Sequence, residues 1–541
     1  MRGLMQDWPL LVPTLLDHAA LYHHDTKIVS RSVEGPIVRS TWAEVAARAR
    51  RAAAVLAALG VTPGEPVATL AWNGFRHLEL FYAIPGAGAV CHTVNPRLFR
   101  AEMAYIFNNA GDRIVFLDLD FVPMMEELAD ELPTVERFVL LCDEAAMPET
   151  SLRGACAYET LIAAHEPAAE WARADENDAC GLCYTSGTTG TPKGVLYSHR
   201  ALVLHAWMLA SADSCGYTSG DIILPVVPMF HANCWGIPHV SAMCGAGLVL
   251  PGRELGGEAI YELLDSERVT VTLGVPTVWL ALLDYLETSG KRFDHPLRLL
   301  TGGAAMARAV MERFERDYGV KVLHAWGMTE MCPVGTTPCL KARHDELPLE
   351  QRLDWMVGQG RSVYGCELRT VDDGGVELPR NGKSAGHLMV RGPWIAAGYF
   401  RHEGGEILDA EGWFDTGDVA TLDQDGYMRI TDRSKDVIKS GGEWISSIDL
   451  ENAALAHPGV AEAGAIGLPH PKWDERPLLV VVKAEGASVG PAEILDLLRG
   501  KFAKWQLPDD IIFVDELPHT ATGKISKRGL RERFADHVWG E

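Results

Sequence analysis

The sequence predicts an α/β protein with parallel sheets, divided into more than one domain. Three observations carry this. Short apolar runs alternate with helical patterns along the chain. At 541 residues the chain exceeds what one core holds, since domains usually run to ~100–200 residues. A glycine- and hydroxyl-rich segment is set between two apolar stretches, Ala179–Tyr184 and Val195–Tyr197.

Residues 41–59 read as a helix. Thr41 caps it with Glu44 three residues later, apolar positions recur at Val45, Ala49, Ala52 and Leu56, and Gly60 stops it. Val67–Ala71 reads as a buried strand, Phe75–Pro85 as helical, and Ala87–Val90, Ile114–Leu117 and Phe138–Cys142 as further strands. Strands are also expected at Ala179–Tyr184, Ile222–Val227, Val269–Val275, Leu297–Leu300 and Val320–Leu323. The tail, residues 433–541, has the size of a small α+β domain. In it Ile448–Ala456 and Pro491–Phe502 read as helices, and Ala461–Leu468 and Leu478–Lys483 as strands.

Composition excludes several classes of function. The chain is 47% hydrophobic and 23% charged, as globular proteins are. A net charge of −24 argues against a nucleic-acid partner, whose binding surface would be basic. Anionic ligands must then be held by local positive groups, not by the global field. No run of 18 apolar residues occurs, so no membrane span is expected. The first residues lack a signal-peptide pattern and the last match no common address tail, so the cytoplasm is expected. Eleven cysteines are scattered through the chain. Cys180 and Cys183 invite a zinc or redox reading, but no second pair follows, and buried free thiols are the simpler expectation.

The organising stretch is residues 184–195, Tyr-Thr-Ser-Gly-Thr-Thr-Gly-Thr-Pro-Lys-Gly-Val. Glycines let backbone amides approach an anion, successive N–H groups form a concave nest, and the hydroxyls and Lys193 add donors and charge. This is a phosphate loop by composition. It is not a Walker A loop, which requires Gly-Lys-Ser/Thr five residues after a first glycine. Gly382-Lys383-Ser384 also fails, because Glu377 occupies that earlier position.

Ser186-Gly187-Thr188-Thr189-Gly190-Thr191-Pro192-Lys193-Gly194 resembles the signature loop of the adenylate-forming superfamily, and further motifs follow in the family's order. The resemblance runs over nearly the whole chain and implies the following roles. Thr185, Ser186, Gly187, Thr188, Thr189, Gly190 and Lys193 would hold ATP phosphates. His231 and Trp235, after a strand in a Pro/Gly-rich turn, would line the acyl pocket together with Gly302, Trp326, Gly327 and Pro333. Gly302, Gly303 and Ala304 would form one wall of the adenine site. In His324-Ala325-Trp326-Gly327-Met328-Thr329-Glu330 the aromatic would stack on adenine and Thr329-Glu330 would meet phosphate and Mg2+. The family more often has Tyr at 326 and Asn or Asp at 324; both replacements here keep a flat face and a polar group. Asp418, ending Trp413-Phe414-Asp415-Thr416-Gly417-Asp418, would accept both ribose hydroxyls, with Arg433 nearby. Lys435 would be the pivot between domains 1–432 and 433–541. Lys435, Ser440, Gly441, Gly442, Glu443 and Trp444 would border the CoA channel.

Lys524, in Thr522-Gly523-Lys524, would be the catalytic lysine, acting with His231, Thr185 and Glu330, and Thr185 and Glu330 would hold the metal. The implied fold is a large N-terminal body of layered α/β subdomains with a small β-barrel-like part, followed by a small mobile C-terminal domain. The implied reaction is ATP-dependent ligation of a carboxylic acid to CoA through an acyl-adenylate, with Mg2+ as cofactor, in a cytoplasmic homodimer. Separate carrier-protein loading is the alternative. The wording around His231 and His324 resembles the short- to medium-chain acyl-CoA synthetase branch. Acids from 3-(methylthio)propanoate to hexanoate suit a pocket narrowed by two tryptophans, the first of these being the expected substrate.

Overall fold

The computed structural model describes residues 1, 3–185, 191–440, 443–519 and 525–539. Ser186, Gly187, Thr188, Thr189, Gly190, Gly441, Gly442 and Lys524 therefore lie outside the described residues, and only the backbone of Glu443 is described.

Two large sheets form the N-terminal body. The first runs, in spatial order, Cys156–Ala157, Arg137–Leu140, Ile114–Leu117, Pro66–Leu70, Val90–Thr93, Ala179–Tyr184, Gly194–Ser198. Neighbours are parallel except the last pair, which closes antiparallel around the phosphate loop. The second runs Lys321–His324, Arg298–Thr301, Val271–Gly274, Ile222–Pro225, Gly247–Leu250, Lys27–Arg31, Ile37–Thr41. It too is parallel up to an antiparallel edge hairpin. The central strands bury both faces and read as continuous apolar runs, as parallel sheets require.

Local chemistry sets the helices. Trp42–Ala58 begins at the expected capping box: Glu44 N–H donates to the Thr41 hydroxyl, and the Glu44 carboxylate accepts from Thr41 N–H. Phe75–Gly86 is buried along its whole length and carries Pro85 in its last turn. The strand expected at Ala87–Val90 begins instead at Val90 and runs to Thr93. Ala87 still caps the preceding helix, and Gly88 turns the chain at φ +78°.

Asn73 joins the two sheets. Its amide donates to the carbonyls of Pro225 (2.9 Å) and Val227 (2.8 Å), and its oxygen accepts from Met229 N–H at 2.6 Å. The C-terminal ends of the strands from both sheets are thereby fixed beside one another, where α/β proteins bind ligands.

The small β part is an antiparallel sheet in the order Glu367–Val371, Ala385–Arg391, Phe414–Leu422, Met428–Arg433. The register passes from His387 opposite Val419 to Met389 opposite Asp415, so four residues face two and Thr416–Asp418 bulges out. Asp418 therefore stands on a strand, not in a loop, and the bulge with Gly417 at φ +69° re-aims it.

Beyond it, Asp474–Lys483 pairs antiparallel with Val460–His470 and parallel with Asp510–Val514. The helices Ser447–Ala454, Pro491–Arg499 and Lys527–Arg533 accompany this sheet. The hydrophobic clusters divide along the chain as well. Those of the body take in residues no later than Ile430, and those of the tail begin at Ile438.

Candidate active site

The phosphate loop has a closed neck. Tyr184 pairs with Gly194, Thr185 N–H donates to Lys193 O at 2.9 Å, and Lys193 N–H donates to the Thr185 hydroxyl at 3.2 Å. Tyr197, on the strand leaving the loop, donates its hydroxyl to Thr329 O at 2.6 Å. That bond ties the loop to the Thr329-Glu330 segment and was not foreseen from the sequence. Glu330 is buried, 6% exposed, and its Oε1 accepts from the Tyr399 hydroxyl at 2.7 Å. Lys193 extends its ammonium over the Tyr399 ring, 4.8 Å from the centroid.

The side expected to take the nucleotide is built on Trp326 and Asp418, both buried. The indole N–H of Trp326 donates to Asp418 Oδ2 at 2.9 Å, and Arg433 Nε sits 2.7 Å from Oδ1. A carboxylate can accept several hydrogen bonds at once, as a vicinal diol requires. Asp418 N–H is held by Thr416 Oγ1, which donates in turn to Leu388 O. Trp326 is fixed by its backbone: its N–H donates to Thr336 Oγ1 (2.8 Å) and its carbonyl accepts from Gly335 N–H (3.0 Å). Gly327 is required by closeness, because a Cβ there would stand 2.0 Å from Pro333 O.

His324 ends the strand Lys321–His324 opposite Thr301. Burial pushes its imidazole down to about 4, against weaker opposing contacts with backbone near Met356 and Ala304. It is neutral at physiological pH, and neither ring nitrogen has a well-formed hydrogen bond among the described residues. Gly303 and Ala304 beside it are exposed.

The acyl side begins at Gly302. A Cβ there would meet Trp235 Cη2 and Ala325 O, each at 3.1 Å, so the outer end of the Trp235 indole packs against this glycine. Trp235 reaches it through an unusual turn. Ala232, Asn233, Cys234 and Trp235 have φ of +43°, +52°, +54° and +54°, a left-handed run that costs non-glycine residues roughly 1–2 kcal/mol each. Cys183 Sγ accepts from Ala232 N–H (3.3 Å) and Cys234 donates to Val227 O (3.2 Å), holding the turn against both sheets. Strain so held is characteristic of ligand contacts. His231 opens the turn and lines a small cavity with Thr93, Asn95, Leu98, Tyr184 and Phe230. Pro333 lies across the same site: its neighbour Val334 donates N–H to His205 Nε2 at 3.1 Å, and its carbonyl accepts from Met328 N–H.

Of the residues expected at the CoA channel, side chains are described for Lys435, Ser440 and Trp444. Ser440 Oγ accepts from Arg476 at 3.0 Å, Trp444 packs edge-on to His387, and burial lowers the Lys435 ammonium. The free cysteines include Cys180 and Cys183, and both are buried.

The fold is that of an adenylate-forming enzyme, and the chain belongs to the AMP-binding enzyme family, which matches residues 16–400. The AMP-binding enzyme C-terminal domain matches residues 449–524. The sequence is 51% identical to a 3-methylmercaptopropionyl-CoA ligase of Ruegeria lacuscaerulensis over the full length of both chains. It is 47% identical to a medium-chain-fatty-acid–CoA ligase of Ectopseudomonas oleovorans, over 99% of this chain and 98% of that one. Among solved structures, an anthranilate CoA ligase in complex with anthranoyl-AMP superposes with a TM-score of 0.86 at 25% identity, covering 99% of this chain and all of the other. ATP-bound MatB from Rhodopseudomonas palustris gives 0.80 at 28% identity, covering 97% and 99%.

Proposed function

We propose that this enzyme is an AMP-forming acid:CoA ligase for short- to medium-chain acids, with 3-(methylthio)propanoate as its substrate. The observation that carries the reading is a convergence at one place. The Trp326–Asp418–Arg433 group, suited to a nucleoside, adjoins an acyl pocket walled by Trp235 lying on Gly302.

A carboxylate is a poor acyl donor because its leaving group would be oxide. Its oxygen therefore attacks the α-phosphorus of ATP, the bond to pyrophosphate breaks, and an acyl-AMP forms. Two anions must meet, so positive charge is needed where charge develops. Lys193 and the loop 185–190 supply it on the phosphates, and Lys524 on the reacting oxygens. Asp418 and Arg433 orient the ribose, and Trp326 carries the adenine between itself and the Gly302–Ala304 wall. Glu330 with the Thr185 hydroxyl would hold Mg2+, for a buried carboxylate with one oxygen fixed by Tyr399 suits a cation that takes few of its oxygen ligands from protein and the rest from phosphate and water. When bound, Mg2+ neutralises phosphate charge. In the second half-reaction the CoA sulfur attacks the acyl carbon, the bond to AMP breaks, and the thiol proton passes to solvent. His231 stands at the opening through which the thiol would come.

The chain would divide at 432/433, where the hydrophobic clusters also separate. The second domain would turn about Lys435 to exchange Lys524 for the segment 440–444, which includes Gly441, Gly442, Glu443 and Trp444. A cytoplasmic homodimer is part of the proposal on resemblance alone; light scattering of the purified chain checks it.

A panel of acids tests the pocket. The ratio of kcat/KM for octanoate over 3-(methylthio)propanoate is measured in wild type and Trp235→Ala. Opening the wall should raise the ratio at least tenfold, since each newly buried methylene is worth about 0.8 kcal/mol. Equal losses for both acids would make Trp235 a gate or a structural residue instead.

A further inference from the structure

The segment 396–405 belongs to no motif discussed above, yet it touches both Glu330 and Lys193. Ala396 N–H donates to Glu330 O at 2.8 Å. The Tyr399 hydroxyl donates to Glu330 Oε1 at 2.7 Å, and the Lys193 ammonium lies over the ring of the same tyrosine. Gly404 approaches so closely that a Cβ would meet Lys193 Nζ at 2.9 Å. Glu403 accepts from Tyr105 Oη (2.9 Å) and Asn109 Nδ2 (2.6 Å), and Asn109 accepts in turn from the Tyr184 hydroxyl at the loop neck. The segment is therefore pinned at both ends, with Tyr399 between.

We infer that Tyr399 is a positioning residue that sets the Glu330 carboxylate and the Lys193 ammonium against the triphosphate. This rests on the reading of Glu330 as the metal-side carboxylate. The hydroxyl uses one lone pair of Oε1, which fixes the carboxylate plane and leaves Oε2 for a cation. The ring face attracts the Lys193 ammonium, which limits where that flexible charge can point. Burial and the nearby Glu330 charge push the Tyr399 phenol well above its ordinary range, so it stays a donor at any physiological pH.

The test uses full-length protein with ATP and Mn2+ as a paramagnetic substitute. Free Mn2+ is read by electron paramagnetic resonance, and metal-free ATP affinity by calorimetry. Tyr399→Phe keeps the ring and removes one hydroxyl. It should raise the Mn2+ concentration for half-saturation about tenfold, as expected for a hydrogen bond to a charged group, with metal-free ATP affinity within about twofold of wild type. Tyr399→Leu should weaken both, because it also removes the ring. Glu330→Gln should lose Mn2+ binding. If Glu330→Gln binds Mn2+ like wild type, the metal reading of Glu330 falls. If that variant loses Mn2+ while Tyr399→Phe matches wild type, the positioning role of Tyr399 falls. A parallel loss of Mn2+ and metal-free ATP affinity in Tyr399→Phe would also overturn it, since that is what general disorder of the site produces.

Discussion

Trp326 shows what a single replacement does. From the sequence, Trp in place of the more usual Tyr means only that a flat face is kept. In the structure its indole N–H also reaches Asp418 Oδ2, so the group proposed to stack on adenine holds the group proposed to bind ribose. Trp326→Phe keeps the face and removes the donor. It should weaken ATP binding about tenfold, near the lower end for a hydrogen bond to a charged partner. Calorimetry in the Asp418→Asn background should show a smaller cost, because the two residues act together. Equal costs in both backgrounds would mean that Trp326 acts by stacking alone. Residues within contiguous motifs were legible in this way, each at least by type. Tyr197 and Tyr399 were not. Each is a tyrosine whose partner, Thr329 or Glu330, comes from a short helical turn far away in the chain, and nothing in composition or spacing brings them together. The contact of Trp235 with Gly302 was equally hidden, although both had been placed at the acyl pocket.

At the scale of elements, periodicity and caps were enough for the helix Trp42–Ala58 and for most central strands, whose apolar runs are bounded by turn residues. They failed where the backbone departs from propensity. No residue preference announces four consecutive left-handed residues at 232–235, or a bulge that re-aims Asp418 within its strand. Lys435 was expected to be a pivot between the domains, but the connection at 432–437 is more tightly held than that suggests. Asp432 is 1% exposed and accepts from Ser447 N–H at 2.7 Å. Lys527 contacts Asp432, Ser447 and Glu451, the last at 3.0 Å. Arg531 pairs with Asp436 and donates to Lys435 O at 3.0 Å. The helix that follows the segment of Lys524 thus grips the expected pivot.

Burial alone would lower the Lys527 ammonium, but Glu451 and Asp432 raise it; burial raises both carboxylates. Lys527→Met leaves two buried carboxylates without their cation and should cost about 3–5 kcal/mol, seen by calorimetry at neutral pH. A carboxylate whose folded pKa is raised favours the folded state below its unfolded value, about 4, and loses that contribution as pH rises. The deficit of the variant should therefore shrink as pH falls toward 4. A cost under about 0.5 kcal/mol, the usual size for a surface change, would show that the cluster is not a clamp.

For the whole molecule, two sheets of like construction are joined at Asn73, so that their strand ends share one cleft, and a third sheet brings Asp418 to it. The whole chain carries a net charge of −24, and its substrates are anions, so binding must come from a few local cations such as Lys193 and Arg433. The class of fold was legible because alternation of strand and helix is a property of the whole chain. The mutual placement of the sheets was not, because it depends on single contacts such as that of Asn73.

The central claim is that the acid is activated as an adenylate before CoA enters. The most direct measurement is exchange of labelled pyrophosphate into ATP with 3-(methylthio)propanoate and no CoA, in wild type and Lys524→Ala. Exchange should require the acid, should proceed without CoA, and should fall by ~10²–10³ in the variant, the usual cost of removing one such charge stabiliser. Adding CoA to the wild-type mixture should then yield acyl-CoA and AMP in equal amounts. Exchange that needs CoA, or a product mixture of ADP and phosphate, would contradict the account.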